Sequence, residues 1–251
     1  MAKQGGIIKL KGTVGDITFY KTQDGYLARE KGGVEASRIA SDPAFARTRE
    51  NGAEFGRAGK AGKMLRNAIR SVLQNVADNR MVGRLTQEMM KVIQADDRNA
   101  RGLRNVIDGE AELLENFDFN RNSKLSTTIF APFSTVIDRV GGKLTVYIPS
   151  FIPLNMIAAP SGTTHFKIIS AGTEIDFQNE TFVVDTKETA EIAWDNNPTA
   201  AINLENAVSA NSTLPMFLAL GIEFYQEVNG QKYLLKNGAF NALSLVKVLG
   251  L

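Results

Sequence analysis

The chain has no cysteine, a single histidine (His165) and a single tryptophan (Trp194) among its 251 residues. Without cysteine there is no disulfide framework, no thiolate nucleophile and no Cys-ligated zinc or iron–sulfur cluster. One histidine cannot build a His-rich metal site. A Ser/His/Asp triad would need Ser161, Ser170 or another serine to meet His165 through the tertiary fold, and Ser161-Gly162-Thr163-Thr164-His165-Phe166 carries no nucleophile elbow. His165 therefore reads as structural, and no catalytic, cofactor-binding or metal-ligating residue is assigned. Long hydrophobic runs are also missing. The runs near Phe151 to Ala159 and Leu214 to Ile222 are broken by Pro or Gly and fall short of the ~18 residues a membrane span requires. The opening residues lack the apolar stretch of a signal peptide. The expectation is a protein of the cytoplasm or of an assembled particle, with no membrane partner.

What is present is a segregation of charge. Residues 1–104 hold 20 Lys+Arg against 11 Asp+Glu, and residues 105–251 hold 9 against 16, so +9 and −7 are hidden in a total of +2. The sequence pattern changes in the same region. It predicts a basic module over 1–116, made of a β-meander and helices, and an acidic β-sandwich module over 117–251. The predicted class is α+β: a small amino-terminal meander with a helical segment, then an all-β immunoglobulin-like sandwich. At 43% hydrophobic and 22% charged residues, the composition is that of an ordered globular chain.

In the first module, Ile7 to Lys11, Ile17 to Lys21 and Tyr26 to Arg29 read as strands, with turns at Gly12-Thr13-Val14-Gly15 and Gln23-Asp24-Gly25. A sheet this small needs a cover, from a helix, the second module or another copy of the chain. Phe19, Tyr20 and Tyr26 are its expected packing residues. Ser41-Asp42-Pro43 signals a helix start, with Asp42 as N-cap and Pro43 in the first helical position. Helix is expected from there to about Val76, as one piece or two. At roughly 100° per residue, Phe55, Ala58, Leu65, Ile69, Val72, Leu73 and Val76 share one face, predicted buried. Arg49, Lys60, Lys63, Arg66 and Arg70 share the opposite side, with Arg47 and Arg57 nearby.

Gly52, Gly56, Gly59 and Gly62 interrupt this helix, each at a cost of about 1 kcal/mol relative to Ala. Either another backbone approaches closely there or the helix bends around residues 52–62. A phosphate-binding loop is excluded, because Gly56 to Met64 lacks the required spacing and terminal hydroxyl. A further helix is predicted from about Arg80 to Gln94, and a weaker one from Gly102 to about Asn116. The latter carries Asp108, Glu110, Glu112 and Glu115, either as a solvated face or as an ionic partner for the basic stripe.

Beyond Phe117 the predicted strands are Lys124 to Phe130, Lys143 to Ile148, Thr164 to Ile169, Phe182 to Asp185, Ala190 to Trp194, Phe217 to Val228, Gln231 to Leu235 and Ala242 to Val248. Asn229-Gly230 is the firmest turn, a type I′ hairpin. Trp194 is expected in the sandwich core or at its rim. Carboxylate pairs such as Glu174/Asp176 and Glu188/Glu191 read as surface charge.

Gly12 to Tyr20, the stretch Asp42-Pro43-Ala44-Phe45-Ala46-Arg47-Thr48-Arg49-Glu50-Asn51, the segment Phe224 to Gly230 and the Asn237-Gly238 to Val248 ending together resemble an uncharacterised bacterial family found near mobile or prophage elements. The resemblance implies an amino-terminal sheet, helices and a β-sandwich, and carries no activity or catalytic residues.

These features favour a non-enzymatic structural protein that self-assembles into a homo-oligomer or a filament-, tube- or shell-like polymer. Its expected contacts are the sheet, the glycine-bearing helix and the opposed charges. The alternative is nucleic-acid binding through the basic stripe within residues 47–70. An enzyme with its site on the sandwich loops is the weakest of the three readings.

Overall fold

A computed structural model describes residues 2–30, 33–76 and 78–250. The chain forms two compact units, residues 1–49 and 50–251. The first holds β1 (Ala2–Lys3), β2 (Gly12–Val14), β3 (Ile17–Thr22) and β4 (Gly25–Glu30), paired antiparallel in the order β1-β4-β3-β2. The small sheet is thus present, with four strands in place of three. Residues 7–11 are not one of them. They lie in a loop that Gln4 closes: its Oε1 accepts from Leu10 N–H at 2.8 Å, and its Nε2 donates to the Leu27 carbonyl at 3.0 Å. The segment predicted as a turn is strand β2, and the reversal sits at Gly15-Asp16. Val14 pairs directly with Ile17, which leaves a two-residue turn, and Gly15 takes the φ of 58° it needs.

Helix α1 (Ala36–Ser41) follows, unannounced by the sequence pattern. Asp42 then caps the next turn as expected: its side chain accepts from Ala44 N–H at 2.9 Å and Pro43 opens a short 3-10 segment. Helix α2 (Ala46–Ala68) runs through all four glycines without a break. It stops at Ile69, before α3 (Arg70–Leu73).

In the second unit, α4 (Met81–Gln94) matches its prediction and buries Leu85, Met89, Val92 and Ile93. The helix predicted over 102–116 is instead loop, with a 3-10 turn at Ala111–Leu114. Short polar side chains outbid the helix for backbone donors here. Buried Asp96 accepts from the N–H groups of Arg98, Asn99 and Asn105 at 2.9 to 3.0 Å, and Asn105 Oδ1 accepts from Ile107 and Asp108.

The remaining elements are β5 (Ser134–Asp138), β6 (Lys143–Ile148), α5 (Pro153–Met156), β7 (His165–Asp176), β8 (Thr181–Glu188), β9 (Ile192–Ala193), β10 (Ile202–Ala207), β11 (Met216–Val228), β12 (Gln231–Leu234) and β13 (Ala242–Leu249). They make a three-stranded sheet, β10-β6-β5, and a six-stranded sheet, β12-β11-β7-β8 with β13 on β11 and β9 on β7. The protein is α+β. Lys124 to Phe130, expected as a strand, instead holds a 3-10 turn at Leu125–Thr127 that buries Leu125, followed by a single bridge from buried Ile129 to Ile157. The stretch Ala190 to Trp194 contributes only the two residues of β9.

Strands β7 and β11 are buried on both faces. Phe166, Ile168, Leu218, Leu220 and Ile222 point to the three-stranded sheet and share a core with Leu144, Val146 and Leu204. Ile169, Ala171, Ile175, Phe217 and Ala219 share a second core with Ala58, Leu65, Leu85 and Met89 of the helices. The helices after residue 50 therefore cover the outer face of the six-stranded sheet. For that reason the compact units divide at Arg49/Glu50, where the sequence pattern placed the boundary at residue 116. Asn229 and Gly230 take φ values of 53° and 77°, as a type I′ turn requires. Trp194 sits half-buried at the rim of the inter-sheet core.

Candidate assembly interface

Helix α2 divides into an inward row and an open face. Glu54, Ala58, Ala61, Gly62, Met64, Leu65 and Ala68 are buried. Phe55, expected among them, is 61% exposed. It lies at the edge of the buried arc, and the neighbouring inward position is taken by Glu54, whose carboxylate binds Arg104.

The four glycines part company. An added Cβ at Gly62 would meet Leu85 Cγ at 3.5 Å and Met89 Cγ at 3.8 Å, so this glycine faces α4 and not the surface. At Gly52, Gly56 and Gly59 a Cβ would meet nothing within 4 Å. Their missing side chains leave bare backbone beside exposed Phe55.

The predicted basic stripe is only partly assembled. Lys60 reaches Glu180 Oε1 at 2.7 Å through side chains that are both more than half exposed. Lys63 and Arg70 are exposed, while Arg66 is half-buried with its Nε in contact with no hydrogen-bond partner. Arg49, in the first unit, is committed elsewhere: Nη1 donates to the carbonyls of Ile39 and Asp42 at 2.8 and 2.9 Å. Arg57 likewise donates to the carbonyls of Gly102 and Arg104. The open ridge thus consists of Gly52, Phe55, Gly56, Gly59, Lys60, Lys63 and Arg66.

The acidic cluster after residue 107 does not meet this ridge. Glu112 accepts from Gly250 N–H at 2.7 Å, and Glu115 accepts from Val248 N–H while pairing with Lys247 at 2.9 Å. Asp108 receives Asn99 and Asn105. These carboxylates tie the end of β13 and the 96–108 loop in place.

The chemistry-bearing groups are otherwise closed. His165 Nδ1 lies 3.0 Å from Thr164 Oγ1 and 3.7 Å from Glu227 Oε2. A cluster the sequence did not announce lies in a cavity of about 350 Å³: buried Glu223 accepts from Asn75 Nδ2 at 2.6 Å and from the Tyr225 hydroxyl at 2.5 Å. Burial, then the bond to Glu223 and its charge, push the Tyr225 hydroxyl far above the usual range, so it remains a donor. Both Glu223 carboxylate oxygens thus accept a hydrogen bond from within the chain. Among the described residues, no group of three or more His, Asp or Glu side chains is placed to hold a metal ion. No described helix is long and apolar enough to cross a membrane. Compared with protein-family models, with curated proteins and with solved structures, the chain matches none.

Proposed function

We propose that this protein is a non-enzymatic structural subunit that self-assembles into a homo-oligomer or a filament-, tube- or shell-like polymer, in the cytoplasm or as part of a particle. One observation carries the reading. The first unit contains a complete four-stranded sheet and a helix, yet no described residue of 2–49 is buried. Ile7, Ile8, Val14, Ile17 and Val34 are all more than 40% exposed. Sheets are stable when an apolar face is covered, and another copy of the chain supplies that cover. The open Cβ positions at Gly52, Gly56 and Gly59 support the same reading, because those glycines weaken the helix and, among the described residues, no atom lies within 4 Å of where a side chain would begin. Light scattering on purified protein at low and high salt, with negative-stain imaging, tests it. A defined multiple of the monomer mass is expected, and a strictly monomeric mass at tens of micromolar overturns it.

A second reading, nucleic-acid binding, draws on Lys60, Lys63 and Arg66 flanking Gly56 and Gly59, where a phosphate backbone has unobstructed access. Retention of labelled nucleic acid by the monomer, falling steeply with salt, would favour it.

A further inference from the structure

We propose that one face of the amino-terminal sheet is a two-fold interface with a second copy of this chain. The proposal rests on the assembly reading and names the contact. Residues paired across strands point to the same face, and alternate residues along a strand point to opposite faces. From the pairs Val14↔Ile17, Gly12↔Phe19, Ile17↔Glu30, Phe19↔Ala28, Lys21↔Tyr26 and Ala2↔Ala28, one face carries Ala2, Val14, Ile17, Phe19, Ala28 and Tyr26, with Lys21 and Glu30. The other carries Thr13, Thr18, Tyr20, Leu27 and Arg29. The first is the apolar one, and Ala2, Val14, Ile17, Ala28 and Glu30 line a wide, shallow depression whose edge is completed by Asp16 and Arg29. Val14 is 67% and Ile17 45% exposed.

Charge on this face is arranged end to end. Glu30 stands beside Ile17 at one end, Lys21 beside Tyr26 at the other, and Phe19 and Ala28 lie between. At roughly 3.3 Å per residue, the two ends are separated by ~13 Å, too far for Lys21 and Glu30 to pair within one copy. A two-fold axis through the Phe19/Ala28 centre brings each Glu30 over the partner's Lys21 end and stacks the apolar middles. The face is self-complementary in the sense an isologous contact requires. Two such sheets packed face to face bury what one sheet leaves in water. An isologous contact closes at the dimer, so further growth falls to a second surface such as the glycine ridge.

The absence of cysteine makes the test clean. Ala28→Cys, near the axis, is expected to form a disulfide-linked dimer under mild oxidation, whereas Leu27→Cys, on the opposite face, is not. Lys21→Glu and Glu30→Lys are each expected to weaken dimerisation by about tenfold, through two like-charge contacts apiece. The double exchange restores it. Both side chains are exposed, so the fold tolerates the exchange. A face-independent cross-link, or a double exchange as weak as the single variants, overturns the inference. If larger species persist while Ala28→Cys does not link, the sheet contact fails and the assembly reading stands. If every variant and the parent are monomeric, both fall. Binding of the parent to phosphatidylglycerol vesicles, abolished by Ile17→Asp without any linked dimer, would reassign the face to a lipid surface and equally overturn the inference.

Discussion

The Glu54 carboxylate, 1% exposed inside α2, grips Arg104 across 50 residues of sequence: Arg104 Nε lies 2.8 Å from Oε1 and Nη2 lies 3.1 Å from Oε2. Gly102 N–H donates to Oε1 as well, at 2.8 Å. This pair fastens the loop after α4 to the side of α2, where an apolar residue would be expected by spacing. Removing one partner strands a buried charge, at a cost of about 3–5 kcal/mol. Glu54→Ala should therefore lower the urea midpoint sharply. Glu54→Leu combined with Arg104→Met should recover much of the loss. By contrast, Lys60→Ala, which breaks only the exposed pair with Glu180, should cost less than about 1 kcal/mol.

Acid should destabilise the fold. Burial raises the Glu54 carboxyl, but the Arg104 and Gly102 bonds and the nearby arginine charges outweigh it and hold the group below its ordinary value. Asp96 is likewise lowered: burial opposes, and Asn99 and the N–H groups of Asn105, Asn99 and Arg98 prevail. Groups whose folded pKa is depressed contribute stability above their unfolded pKa, about 4 for carboxylates, and lose it as pH falls through the folded value. Asp118 acts in the opposite sense, because burial raises it; its folded form favours the proton, so its contribution is present at low pH and lost as pH rises. With Glu54 and Asp96 against Asp118, the net expectation is a urea midpoint that falls from pH 5 to pH 3. A midpoint that rises over that range would contradict it.

The open glycines separate folding from assembly. Gly56→Ala and Gly59→Ala place a methyl in empty space and should each stabilise the monomer by about 1 kcal/mol. If another backbone seats on this ridge, the same variants should reduce the assembled fraction. Thermal unfolding and light scattering on the same samples check both arms; a rise in Tm with unchanged assembly would remove the ridge from the interface.

The cations of the ridge decide between the two functional readings. Reversing Lys60, Lys63 and Arg66 to Glu should leave the fold intact, since Lys60 and Lys63 are exposed and Arg66 is half-buried. The triple variant is expected to assemble less well at low salt. Should it assemble normally but lose retention of nucleic acid, the second reading replaces the first.

Several elements could be read along the chain because their signals are local. Asp42-Pro43, the apolar period of α4 and Asn229-Gly230 each specify backbone geometry within a few residues, and each is realised. Strand β10 was missed: Ile202, Leu204 and Asn206 are buried in strict alternation with exposed residues, but a polar Asn among the inward positions and Asn and Glu between them hide the apolar period. Strand β5 carries weaker signal, with no buried residue at all. The ridge was visible as five basic residues and four glycines on one helix. Which of them remain available depends on neighbours remote in sequence: Leu85 and Met89 cover Gly62, and the Ile39 and Asp42 carbonyls claim Arg49.

By itself, the sequence determined the α+β class, the helix that carries glycine beside positive charge, and the loss of thiol and multi-histidine chemistry, since these follow from residue type and short-range periodicity. Only the tertiary structure decided where the helices belong. Strands β7 and β11 are apolar on both faces, and a sheet of that kind must be covered twice, so the helices after residue 50 join the strands' core and the charge boundary ceases to be a structural one. The amino-terminal sheet holds no buried residue among those described. Burial is a property of the assembled chain, and no period along the sequence encodes which faces remain open.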